Sequence, residues 1–282
     1  SMTTYLETKL NEVRARGEGV LSISLAPNGV REFDRLLEPI DYLLGAGMNQ
    51  MLIISYLPTV QKLCNLAPAE QRFVNRESAK GSYQDMVFDN LAAIHAKHPD
   101  LPLITTPMLG DMIAYGQRRY VERAIACGVV GWDTCNYTTI PDPTGIRRMV
   151  QEKGAGFLGA VWSNMIDINR PEDRKLIRDT VACSSGELFV VPAVPGSSDG
   201  LDGRYVKPVV DYIREVQDEL GHRYPLIGIG GIATAKDAYE MVKVAGVDGV
   251  HFSSGYMKRV IAGQSVEEIT AFLRDVKDAM RG

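Results

Sequence analysis

Two rhythms of apolar residues alternate along the chain. Short runs rich in Val, Ile and Leu recur at GVLSISLAP (19–27), QMLIISYL (50–57), LPLITTPML (101–109), VVGWDTCNY (129–137), AGFLGAVWS (155–163), ELFVVPAV (187–194), YPLIGI (224–229) and DGVHF (248–252). Each is the length of a strand and is bounded by Gly, Pro, Asn or Asp. Between them the spacing is helical: Phe33, Leu36, Leu37, Ile40 and Leu44 share one face, as do Ile269, Phe272, Leu273 and Val276. Tyr115, Tyr120, Val121 and Ile125 predict one helix running to Gly128, and Pro143 and Gly154 bracket another. Strands that alternate with helices build a parallel sheet. Eight such pairs without an interdomain linker predict an α/β fold, a single (β/α)8 TIM barrel over residues 1–282, with an amphipathic N-terminal helix at about 4–16.

The last two runs end in small residues before a helix: Leu226 to Ile229 leads into Gly230-Gly231, and Val250 to Phe252 into Ser253-Ser254-Gly255. Glycine admits a ligand close to the backbone, and the free N–H groups of a following helix favour an anion. The pair of turns therefore reads as a phosphate clamp in the position where barrels of this class carry one, although small residues serve empty tight turns equally well. Composition narrows the classes. Net charge is −4, with no basic surface on which to bind nucleic acid. No stretch reads as a membrane span or signal peptide, so a cytoplasmic protein is expected. The four cysteines, Cys64, Cys127, Cys135 and Cys183, have neither zinc nor disulfide spacing. No metal and no NAD or flavin cofactor is expected, because Gly230-Gly231 lacks the dinucleotide fingerprint.

Several segments together resemble the alpha subunit of tryptophan synthase. HPDLPLITTPMLGDMIAYGQRRYVERAIACGVVGWD is similar to that family's strand-three to strand-four unit, including Tyr115-Gly116. IGGIATAKDA and DGVHFSSGYMKRV resemble its last two phosphate turns, the latter with Lys258, and the likeness spans roughly residues 19 to 262. PGSSDG falls where the family has a phosphate and lid loop, which implies Gly196, Ser197 and Ser198 as further phosphate ligands. Arg204 and Lys207, just beyond, are placed to reach an anion when that loop closes. The resemblance implies an aldolase-type lyase and a possible beta-like partner subunit; a homo-oligomer is the other partner state considered.

The same resemblance exposes departures. Ile54 stands where the family has its glutamate, and PTVQKLCN replaces its aspartate loop. An apolar side chain transfers no proton, so ordinary cleavage of indole-3-glycerol phosphate is not expected. If the strand registers carry over, Thr106, Asp133 and His251 replace apolar residues of the indole pocket. A buried aspartate needs a partner, and a carboxylate beside an imidazole raises its pKa toward neutrality, so Asp133 and His251 are expected to form the acid/base pair. A strand histidine also serves as hydrogen-bonded structure, and a one-residue register slip moves Asp133 to the outer face. Tyr56, Thr106, Asn136 and Trp162, near the carboxyl ends of strands, are the expected substrate contacts. The expected function is aldolase-type lyase or synthase chemistry on a small, phosphorylated metabolite. A non-catalytic alpha-like subunit that regulates a beta-like partner, and a phosphosugar isomerase, are the alternatives.

Overall fold

The computed structural model describes residues 3–25, 33–54, 83–134, 140–192 and 200–282. Among these residues nine parallel strands form a nearly closed barrel: β1 (Val20–Leu25), β2 (Gln50–Ile54), β3 (Leu103–Thr106), β4 (Val129–Trp132), β5 (Gly156–Phe157), β6 (Gly159–Trp162), β7 (Leu188–Val191), β8 (Leu226–Ile229) and β9 (Gly249–Phe252). Their order is β5-β4-β3-β2-β1-β9-β8-β7-β6, so the two outermost strands are consecutive in sequence. Both come from the fifth apolar run. β5 pairs with β4, β6 pairs with β7, and Leu158 lies between them, its N–H donating to the Trp132 carbonyl at 2.9 Å. The expected eight strands become nine because this strand changes partners at one residue.

Helices connect the strands: α1 (Tyr5–Ala15), α2 (Phe33–Gly45), α3 (Tyr83–Lys97), α4 (Leu109–Tyr115), α5 (Gln117–Ala126), α6 (Ile146–Glu152), α7 (Pro171–Cys183), α8 (Gly203–Leu220), α9 (Ala235–Tyr239), α10 (Ser254–Ile261) and α11 (Val266–Met280). Beyond α9 the chain continues as a π-helical turn over Glu240–Ala245. The single helix expected before Gly128 is two, because Gly116 takes φ 102°, a conformation outside the helical region. No helix among the described residues is long and apolar enough to cross a membrane.

Strand alternation divides the core into two parts. Outward residues such as Leu21, Ile23, Trp132, Val250 and Phe252 pack under the helices. Inward residues Val20, Leu52, Ile104, Leu158, Phe189 and Ile227 form a second cluster with Leu6, Leu10 and Val13 of α1. Thr4 starts α1 by accepting a hydrogen bond from the Glu7 N–H at 3.1 Å, which aims Leu6 and Leu10 at the amino-terminal end of the barrel. A side chain at Gly156 or Gly186 would meet Leu6 Cδ2 at 3.4 or 3.0 Å, so those glycines make the cradle that Leu6 fills. Burying each leucine contributes about 2 kcal/mol. One end of the lumen is thereby plugged, which leaves the carboxyl ends of the strands as its mouth.

Candidate functional site

His251 is the centre of an inward polar group. Its neighbours Val250 and Phe252 belong to the outer core, so alternation turns the imidazole into the lumen, where it is 2% exposed. Register then selects its partners. Ser22 lies directly across from His251 on β1, and Gln50 lies across from Ser22 on β2. His251 Nδ1 is 2.7 Å from Ser22 Oγ, and Nε2 is 2.6 Å from Ser24 Oγ. The Gln50 side-chain amide donates to Ser22 Oγ and to Glu187 Oε1, each at 2.9 Å. Glu187 immediately precedes β7 and is fully buried, so this row of side chains crosses the lumen from β9 to the start of β7.

Burial sets the charge of both titratable members. It pushes the Glu187 carboxyl up to about 8; the Gln50 hydrogen bond opposes the shift, and the negative charge of Asp133 adds to it. It pushes His251 down to about 3. At neutral pH the lumen therefore holds a neutral acid and a neutral imidazole. This corrects the expected pairing: both ring nitrogens of His251 are engaged by serines, and its pKa is depressed. Asp133 acts electrostatically on Glu187, a carboxyl group, through the low-dielectric interior.

Asp133 extends β4, its N–H donating to the Thr105 carbonyl at 2.9 Å, and its half-buried side chain lines a pocket of about 530 Å³. Around it stand Trp162, Phe189, Val191, Ile229 and Gly230. The lining is mostly apolar, and Trp162, 41% exposed, stands at its edge. Such a surface suits an apolar or ring-bearing ligand body held by a few polar groups. Thr106 is buried, and its hydroxyl donates to the Ile53 carbonyl at 2.8 Å, which ties β3 to β2. Tyr56, Asn136, Gly196, Ser197 and Ser198 lie outside the described residues. Among the described residues no group of three His, Cys, Asp or Glu side chains is arranged to hold a metal.

The two glycine-containing turns come together. Gly230 and Gly231 have φ of 90° and 72°, conformations that favour glycine. A side chain on Gly255 would meet the Ile232 carbonyl at 3.3 Å, so the start of α10 packs closely on the β8 turn. Ser253 precedes α10 without a side-chain capping bond, and Ser253 and Ser254 are exposed. At α9, Asp237 accepts hydrogen bonds from the Ala233 and Thr234 N–H groups at 2.9 and 3.2 Å. That helix end is thus already satisfied by its own carboxylate. Arg204 and Lys207 pair with Asp202 and Asp211.

Ser22, Ser24, Gln50 and Glu187 were not singled out by sequence reasoning. Their signal was present as polar residues at alternate positions in VLSISL and at the openings of QMLII and ELFVV.

The fold and site define an α/β barrel with a pocket at the carboxyl ends of its strands. Tryptophan synthase alpha subunits are among its structural neighbours. Tryptophan synthase subunit alpha from Legionella pneumophila superposes with a TM-score of 0.71 at 17% identity, covering 99% of both chains. A chain of tryptophan synthase from M. tuberculosis gives 0.74 at 14% identity over 100% of each. An Aquifex aeolicus VF5 protein gives 0.76 at 16% identity, again over 100% of each. The dihydroorotate dehydrogenase family model matches residues 184–273, the part that carries β7, β8, β9 and both turns. No curated protein matches the sequence at a significant level.

Proposed function

We propose that this protein is an aldolase-type lyase or synthase acting on a small phosphorylated metabolite. Asp133 is its acid/base group, and the Gly230-Gly231 and Ser253-Ser254-Gly255 turns form its phosphate clamp. The observation that supports this reading is the position of Asp133: a carboxylate in a mostly apolar pocket that also includes Gly230 of the clamp. A carboxylate there takes a proton from a carbon or hydroxyl next to the bond that breaks, and returns one to the leaving fragment. Backbone N–H groups at the start of α10 and at Gly230-Gly231 hold the phosphate, and Trp162 covers the organic part. His251 enters as a neutral hydrogen-bonding group, because an imidazole with a pKa near 3 does not gain a proton at neutral pH.

The similarity to tryptophan synthase alpha subunits supports the lyase class, while Ile54 supports a different substrate. Thermal-shift titration with inorganic phosphate, glycerol 3-phosphate and indole-3-glycerol phosphate tests the clamp. A ligand that binds only the folded chain raises the melting temperature. The expected result is a rise with glycerol 3-phosphate and no cleavage of indole-3-glycerol phosphate. Asp133→Asn is expected to keep the rise and lose turnover of any substrate found. No shift with any of the three would overturn the phosphate reading.

A further inference from the structure

The polar row in the lumen takes its direction from the orientation of the Gln50 amide. The Gln50 amide nitrogen carries two, and both are used, one toward Ser22 Oγ and one toward Glu187 Oε1. Ser22 therefore accepts from Gln50, and its own hydroxyl proton turns to its other partner, His251 Nδ1. A ring nitrogen that accepts is unprotonated, so the neutral imidazole carries its proton on Nε2 and donates it to Ser24 Oγ. Ser24 accepts in turn, which leaves its hydroxyl proton for a further acceptor. His251 is the only hydrogen-bond partner of Ser24 among the described residues.

Ser24 sits at the mouth of the barrel. Ser24 is the last inward residue of β1, since Leu21, Ile23 and Leu25 pack in the outer core. Ile23 is in register with Phe252, so Ser24 lies level with Ser253 at the mouth of the barrel, beside the proposed clamp. It is 5% exposed. A buried hydroxyl proton without an acceptor is costly, and an acceptor supplied by a ligand removes that cost. The depressed pKa of His251 agrees with the neutral ring this chain needs. An imidazolium would donate from both nitrogens and reverse the Ser22 bond.

We infer that Ser24 is a substrate-facing hydrogen-bond donor, and that Gln50, anchored on Glu187, is the positioning residue that fixes its polarity through Ser22 and His251. The ligand class follows: a phosphorylated metabolite with an acceptor oxygen, carbonyl or hydroxyl, next to its phosphate group. This part rests on the phosphate reading above.

Two measurements test the inference. Nitrogen NMR of histidine-labelled protein reads the tautomer of His251 without any ligand. Protonation on Nε2 is expected, retained in Glu187→Gln, which keeps an acceptor for Gln50, and lost to a mixture in Gln50→Met. A wild-type ring protonated on Nδ1 would overturn the polarity. Calorimetric titration then compares glycerol 3-phosphate with inorganic phosphate. Ser24→Ala is expected to weaken glycerol 3-phosphate about 5- to 10-fold, the size of one hydrogen bond, and to leave inorganic phosphate unchanged. Equal affinities of Ser24→Ala and wild type for glycerol 3-phosphate would overturn the donor role. If the wild type binds neither probe, the phosphate reading and the ligand class fall together, whereas the tautomer still decides the polarity alone.

Discussion

The two halves of the barrel lumen are built from opposite materials. Toward α1, the interior is apolar: Leu6 and Leu10 meet Val20, Leu52, Ile104 and Ile227, and close packing alone holds them. Across β9, β1, β2 and β7 the same lumen carries His251, Ser22, Ser24, Gln50 and Glu187, which are joined by four hydrogen bonds. Burying an imidazole and a carboxyl costs more than burying leucines, so the polar half depends on its hydrogen bonds. The contrast separates a half held by close packing from a half held by hydrogen bonds, and it gives each half its own response to perturbation.

The largest contrast is in pH dependence. Between about pH 4.5 and 8 the folded protein keeps a proton on Glu187 that the unfolded chain has released. Stability therefore falls as pH rises through that window, by on the order of 5 kcal/mol for this group. Glu187→Gln is expected to flatten the fall and to exceed the wild type in urea midpoint at pH 9. His251 gives the opposite limb: the unfolded chain takes up a proton near 6.5 and the folded one only near 3, so stability is lost as pH drops through that range. His251→Asn is expected to flatten this acid limb. Equal slopes in wild type and variants would erase the polar half of the comparison.

Leu6→Ala probes the apolar half. It empties the cradle at Gly156 and Gly186 and is expected to cost about 3 kcal/mol, read as a lower urea midpoint at every pH. Ser22→Ala should be smaller, about 2 kcal/mol, because it leaves a buried Gln50 proton and His251 Nδ1 without their partner. The NMR tautomer of His251 would also change, which Leu6→Ala should leave alone. At the bottom of the scale, Lys175→Ala breaks the exposed i,i+4 pair with Asp179 on α7 and should cost about 0.3 kcal/mol. A larger loss there would mean that surface charge contributes to barrel stability on the scale of the lumen residues.

Much of the architecture was legible because strands and helices follow periods of two and 3.6 within short windows. The runs around Leu21, Ile227 and Val250 needed only their own apolar spacing and bounding turns to be read as strands. The split at Leu158 was hidden, since a change of partner strand leaves no mark on a run of apolar residues. The break at Gly116 was readable in principle, but glycine inside a helical pattern is also tolerated there. At the site, alternation along DGVHF correctly turned His251 inward, whereas its partner was misjudged. Asp133 was the chemically attractive choice, but register placed Ser22 across from the ring, and Ser24, two residues further along the same face, reaches its other nitrogen.

The sequence by itself thus determined the order of elements, the face on which His251 lies, and the glycine turns at Gly230-Gly231 and Gly255. These are local properties, fixed by backbone sterics and by the spacing of apolar residues. Only the tertiary structure decided that Gln50 and Glu187, 137 positions apart, would meet across the lumen. The same assembly made Glu187 a neutral acid and His251 an uncharged ring, because pKa shifts arise from desolvation and from neighbours that no local window of sequence contains.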